Sequence, residues 1–75
     1  DMPIAKTVCL TGEVGLSGEI RPVTRIEQRI IEANKLGFST IYVPKHNLKG
    51  VDVSQYNVEV KEVARVEEVF RSLFG

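Results

Sequence analysis

Between Thr24 and Pro44 the hydrophobic period changes from that of a helix to that of a strand, and no other stretch restricts the fold as much. Ile26, Ile30 and Ala33 recur at i, i+4 and i+7, with Ile31 widening the apolar stripe. That is the pattern of a helix with one buried face. Thr24-Arg25-Ile26-Glu27 has the form of a capping box, a hydroxyl at the N-cap and a carboxylate three residues later. Leu36-Gly37 ends the helix, the glycine taking the left-handed position that other residues adopt at a cost. Thr40-Ile41-Tyr42-Val43 then reads as a short buried strand stopped by Pro44.

Upstream, Thr7–Leu16 alternates. Val8, Leu10, Val14 and Leu16 fall on one parity, and Thr7, Thr11, Glu13 and Gly15 on the other, which predicts one half-buried strand. Ser17-Gly18 separates it from Glu19–Val23, and a two-residue link ending in glycine suits a tight hairpin. Pro22 lacks a backbone donor, so the second strand should end there or lie at an edge. Strand, helix and strand in this order imply a βαβ crossover. Lys45–Asn57 is a polar connection without a legible pattern, Val58-Glu59-Val60 alternates again, and Val66, Val69, Phe70 and Leu73 mark a closing helix over Arg65–Phe74. Ala64 is a weak N-cap for that helix. The expected class is α+β: a β-hairpin, a βαβ unit, then a strand and a closing helix.

With 75 residues there is room for one small core, and 43% hydrophobic with 27% charged residues is an ordinary globular balance. No apolar run approaches the ~20 residues of a membrane span. The start, Asp1-Met2-Pro3-Ile4-Ala5, has neither the basic nor the apolar region of a targeting peptide. A single cysteine, Cys9, forms no intrachain disulfide and suits a reducing compartment, so a cytoplasmic location without membrane contact is expected. One histidine and one cysteine are too few soft ligands for a zinc site, and no metal is expected in this chain.

Net charge is zero but segregated. Residues 21–49 carry six cations (Arg21, Arg25, Arg29, Lys35, Lys45, Lys49) against Glu27 and Glu32, whereas residues 51–75 carry three against five carboxylates. A segregated neutral chain can present a basic face, although a plain solvated surface has the same composition. Arg25 and Arg29, four apart on one face away from the Ile26/Ile30 stripe, repel by a few tenths of a kcal/mol on a helix. Glu32 is placed to offset that repulsion.

No catalytic constellation is visible in these residues alone. Gly12, Gly15 and Gly18 are evenly spaced, but no Gly-Lys-Ser/Thr follows them. Gly15-Leu16-Ser17-Gly18 lies where a hairpin turn is expected, not a strand-to-helix elbow, so Ser17 reads as a turn residue. His46 reads as a solvated loop histidine, and Cys9 as a small packing residue.

The run Thr11-Gly12-Glu13-Val14-Gly15-Leu16-Ser17-Gly18-Glu19-Ile20-Arg21-Pro22-Val23 closely resembles the C-terminal, Lon-protease-like domain of the bacterial RadA (Sms) DNA-repair family. The likeness continues through Arg25-Ile26-Glu27-Gln28-Arg29 and Glu32-Ala33-Asn34-Lys35-Leu36-Gly37-Phe38 to Val43-Pro44-Lys45-His46-Asn47-Leu48-Lys49-Gly50. It returns over Val60–Phe70. It implies that residues 1–75 form a single Lon-like domain in truncated form, its C-terminal half. The family's zinc finger and RecA-like ATPase core lie upstream, so ATP, Mg and Zn are implied for those domains and no cofactor for this chain.

The chain resembles the Lon peptidase more distantly. That enzyme uses a Ser–Lys dyad, and its lysine position falls on Glu27, where a carboxylate cannot act as the neutral amine base a serine requires. The resemblance thus implies a non-catalytic domain that assembles a homo-oligomeric ring beneath an ATP-driven motor acting on branched DNA intermediates. It implies DNA contact through phosphates at Arg21, Arg25, Arg29, Lys45 and Lys49. Two other readings are half of an active Ser–Lys peptidase, and a ring scaffold that never touches DNA.

Overall fold

The computed structural model describes residues 2–5 and 7–75. A four-stranded sheet has the order β1-β2-β5-β6, formed by β1 (Met2–Ala5), β2 (Val8–Leu10), β5 (Thr40–Pro44) and β6 (Glu59–Val63). β2, β5 and β6 are mutually parallel, with Val8 opposite Thr40 and Ile41 opposite Val60, while β1 runs antiparallel on the outer side of β2. A second, two-stranded antiparallel sheet joins β3 (Glu13–Val14) to β4 (Ile20–Arg21). Helix α1 (Ile26–Leu36) lies in the β2–β5 crossover, and α2 (Val66–Phe74) follows β6. The α+β class, the hairpin and the parallel crossover are as the sequence predicts.

The two helices cover opposite faces of the large sheet. Ile26, Ile30 and Ala33 of α1 pack with Cys9, Ile41 and Val43, whereas Val69 of α2 packs with Val8, Leu10, Tyr42 and Val63. This corrects the single strand expected over Thr7–Leu16. β2 is buried on both faces, which is why all three of its residues are hidden. The strand breaks at Thr11-Gly12, and the exposed Glu13–Val14 belongs to the small sheet. Gly12 has φ of 144°, and a Cβ there would lie 2.6 Å from Cγ2 of Ile20. The chain turns here because only glycine fits.

The hairpin forms with a longer link than Ser17-Gly18: the amide of Gly15 donates to the carbonyl of Glu19, and that of Gly18 to the carbonyl of Gly15. Its second strand is Ile20–Arg21 rather than Glu19–Val23, ending before Pro22. The hairpin is joined to the β6–α2 junction. The amide of Ile20 donates to the carbonyl of Ala64, that of Val66 donates to the carbonyl of Gly18, and the Arg65 guanidinium donates to the carbonyl of Ser17.

The capping box expected at Thr24/Glu27 is absent. Arg25 is the N-cap of α1, in a left-handed conformation (φ 57°, ψ 44°) with no side-chain cap. Gly37 ends the helix as expected, its φ of 86° allowing its amide and that of Phe38 to reach the carbonyls of Asn34 and Ala33. Helix α2 begins one residue later than expected. Its N-cap is Arg65 rather than Ala64, and the carboxylate of Glu68 in the first turn accepts from the amides of both. β5 extends through Pro44, the amide of Lys45 continuing the ladder to the carbonyl of Val63. β6 runs to Val63, three residues beyond the alternation over 58–60. Within 45–57, a 3₁₀ turn (Val53–Gln55) is capped by Asp52, and Leu48, Val51, Val53 and Tyr56 pack against the α1 side of the core.

Candidate nucleic-acid interface

β2, β5 and β6 end on the same side of the sheet, where the chain passes into Thr11, Lys45 and Ala64, and α1 and α2 start from that side. Four of the five expected cations, Arg25, Arg29, Lys45 and Lys49, belong to segments at this end. Arg25 is exposed at the N-cap of α1. Arg29, half-buried one turn on, donates from Nη1 to Oγ1 of the fully buried Thr11 at 3.3 Å. With Arg25 outside the helix proper, the two arginines do not form the helical i, i+4 pair that their spacing suggests.

Lys45 and Lys49 are exposed on the segment leaving β5. That segment starts with a tight turn: the amide of Asn47 donates to the carbonyl of Pro44 at 3.2 Å, and His46 takes φ of 64°. The amide of His46 donates to Oε1 of Glu62 at 3.0 Å. The third fastening is one the sequence does not announce. Oδ1 of Asn47 accepts from the amide of Val23 at 2.8 Å, and its Nδ2 donates to the carbonyl of Val23 at 3.2 Å. Val23 stands two residues before Arg25, so the lysine-bearing turn is tied directly to the segment that delivers Arg25 to α1. Among the described residues, no ion pair forms at Arg25, Lys45 or Lys49. His46, Leu48, Lys49 and Glu62 line a shallow open depression beside the turn.

Arg21 is set apart. It lies in the hairpin, with Nη1 3.6 Å from Oε1 of Glu13 and Nη2 3.1 Å from Oε2 of Glu19. Glu19 also accepts from the Ser17 hydroxyl at 2.8 Å and from the Ser17 amide. These donors, the Ser17 hydroxyl foremost, pull the Glu19 carboxyl down to about 2. Ser17 is thus a turn residue whose hydroxyl is committed to a neighbouring carboxylate.

Glu27, exposed in the first turn of α1, accepts from the phenol of Tyr56 at 3.0 Å. Desolvation, and next the Glu27 carboxylate, push the Tyr56 phenol up from its ordinary value. Cys9 is buried, and burial pushes its thiol up, away from the reactive thiolate. Among the described residues, no group of three or more His, Cys, Asp or Glu is placed to hold a metal ion, and no helix is long and apolar enough to cross a membrane. Exposed cations can meet phosphate oxygens, and contacts of that kind carry no base-sequence information.

Residues 1–75 match the Lon protease (S16) C-terminal proteolytic domain across the whole chain. A DNA repair protein RadA from Streptococcus pyogenes serotype M3 is 50% identical over all 75 residues, and the DNA repair protein RadA of Bacillus subtilis is 47% identical over the same span. The chain spans 16% of the length of each. The Listeria monocytogenes DNA repair protein RadA is 60% identical over 47 residues, 63% of this chain and 10% of that protein. The chain therefore belongs to the Lon protease (S16) C-terminal proteolytic domain family.

Proposed function

We propose that this chain is a non-catalytic assembly and DNA-contact domain of a RadA-type repair protein. The observation that carries the reading is the union of Arg25, Lys45 and Lys49, all exposed and free of ion pairs among the described residues, on two segments tied together through Asn47 and Val23. Arg29, beside Thr11, flanks this set. Arg21, held by Glu13 and Glu19 in the hairpin, stands apart from it as a partly neutralised charge. The relatives named as DNA repair proteins supply the context. Contacts run to phosphates, and binding does not depend on base sequence.

Glu27 supports the non-catalytic half of the reading. A carboxylate occupied by a tyrosine hydroxyl stands where the resemblance to Lon peptidases puts the lysine base. The whole protein is proposed as a cytoplasmic DNA-dependent ATPase, with ATP, Mg and Zn bound outside this chain, acting on branched DNA as a homo-oligomeric ring. A pure ring scaffold is the second reading. It is favoured by the exposed Leu16, Phe70 and Phe74, the two phenylalanine rings stacking with centroids 6.1 Å apart.

The test is the triple variant R25A/K45A/K49A in the whole protein. Its DNA affinity should fall about equally across sequences, and the slope of log affinity against log salt should flatten by roughly 0.7–0.9 for each phosphate that is no longer neutralised. Normal assembly with parental affinity and slope would leave the scaffold reading standing instead.

A further inference from the structure

We infer that Asn47 is a positioning residue for phosphate contact, a clasp that sets Lys45 and Lys49 in register with Arg25; this rests on the DNA-contact reading above. The carboxamide of Asn47 meets both polar groups of one backbone residue, accepting from the Val23 amide at 2.8 Å and donating to the Val23 carbonyl at 3.2 Å. The pair spans 24 residues of chain and is partly buried. It copies the two-way exchange between peptides in a β-ladder, and it needs a donor and an acceptor fixed in one planar group. Aspartate lacks the donor, and serine lacks the reach.

The turn carrying Asn47 is held from two further directions. The Lys45 amide bonds the carbonyl of Val63, and the His46 amide bonds the carboxylate of Glu62. Those bonds tie the turn to β6 alone. Among the described residues, the hydrogen bonds that tie it to the segment leading into α1, where Arg25 sits two residues past Val23, come from Asn47. Ile26, Ile30 and Ala33 pack α1 on the sheet, and Val23 and Leu48 touch the same core. Apolar packing is non-directional, so the register between the two segments is left to the Asn47 hydrogen bonds. The clasp fixes the relation between the two halves of the cation set before any ligand arrives. The ordering cost of binding is thereby reduced.

Charge and clasp have separable signatures. The number of phosphate contacts sets the salt slope, whereas preorganisation changes affinity at every salt concentration. In the whole protein, N47A is expected to bind a 30-residue DNA of arbitrary sequence roughly three- to tenfold more weakly, with the parental salt slope. Amide exchange should speed up at Val23 and remain slow at Ile30. In the R25A/K45A/K49A background the same change should have no further effect, because the groups it positions are gone. If N47A does not fold, Asn47→Gln goes through the same cycle; its extra methylene misplaces both groups, and about a twofold loss is expected.

Parental affinity in N47A, or an equal loss with and without the three cations, overturns the clasp. A triple variant that binds like the parent overturns the phosphate reading, and the clasp with it. A triple variant that loses binding while N47A does not overturns the clasp alone.

Discussion

The phenol of Tyr56, just past the 3₁₀ turn, donates a 3.0 Å hydrogen bond to the carboxylate of Glu27 in the first turn of α1. It fastens the long 45–57 connection to the helix at the position where the resemblance to Lon peptidases expects a lysine. Glu27→Gln should lower the Tyr56 titration part of the way toward its ordinary value of 10.0, because desolvation, the larger cause of its rise, remains. Folding raises this pKa, so its contribution to stability is complete below 10.0 and is lost as pH climbs through the folded value. An unchanged phenol titration in the variant, followed by ultraviolet absorbance, would contradict the pairing.

Catalysis gives a second expectation. The whole protein should not hydrolyse unfolded protein substrates above background, even with ATP, because Glu27 offers no neutral amine. Reproducible proteolysis abolished by a serine-directed inhibitor would overturn this.

The hairpin should respond to acid through Glu19. Its folded pKa of about 2 lies below the unfolded 4.5, so its contribution is complete above 4.5 and disappears as pH falls toward 2. Protection of the Ser17 amide, taken against the intrinsic exchange rate at each pH, should fall over that window, while Ile30 in α1 stays protected. Gly15→Ala should reproduce the loss at neutral pH, since a Cβ there would lie 2.1 Å from Oε2 of Glu19 and displace the carboxylate. If the Ser17 amide exchanges at the same rate in the variant, the network is not what orders the turn.

Gly12→Ala should be far more damaging. The new methyl meets Cγ2 of Ile20 at 2.6 Å and Cγ of Pro44 at 3.1 Å, at a φ of 144° that other residues rarely adopt. Backbone strain and overpacking together should cost about 2–4 kcal/mol, a large share of a small domain's stability. Thermal unfolding measures it directly, and a melting temperature within a degree of the parent's would refute the account.

Self-association is the expectation that the apolar surface raises. Leu16 is fully exposed at the hairpin tip, and Phe70 and Phe74 are 51% and 74% exposed on α2. Replacing both phenylalanines by serine should shift the whole protein toward smaller species in sedimentation. A parent that is already monomeric at high concentration would remove the basis for this expectation.

What the sequence disclosed depended on where each partner lay. Helix α1 was legible because Ile26, Ile30, Ala33 and Gly37 state its face and its end within a dozen residues. Its start was not, since nothing in a Thr-Arg-Ile-Glu string signals that Arg25 turns left-handed and that Glu27 serves a tyrosine in a later loop. β2 looked half-buried because Thr7 and Thr11 alternate with aliphatic residues. Thr11 is in fact fully buried beside Arg29, and Cys9 packs under α1. The basic residues were visible as a local excess of charge, but which of them are neutralised was not. Arg21 forms ion pairs with carboxylates in its own hairpin, whereas among the described residues Arg25, Lys45 and Lys49 form none. Asn47 gave no signal at all, because one asparagine in a polar loop looks like any other until Val23 is brought beside it.

The parallel pairing of Val8 with Thr40 has a kinetic consequence. The β3–β4 hairpin and α1 both intervene, so the central ladder closes only after a long loop has been drawn together, whereas β1–β2 and β3–β4 are local. Ile30 of α1 packs in one cluster with Ile41 of β5 and Cys9 of β2, so docking of the helix is expected to draw the two strands into line. Shortening Ile30 to valine should therefore mainly slow refolding in stopped-flow experiments, whereas trimming Leu73 on α2, outside that central contact, should mainly speed unfolding. On this expectation the chain's refolding time is set at the middle of its sheet rather than at its turns.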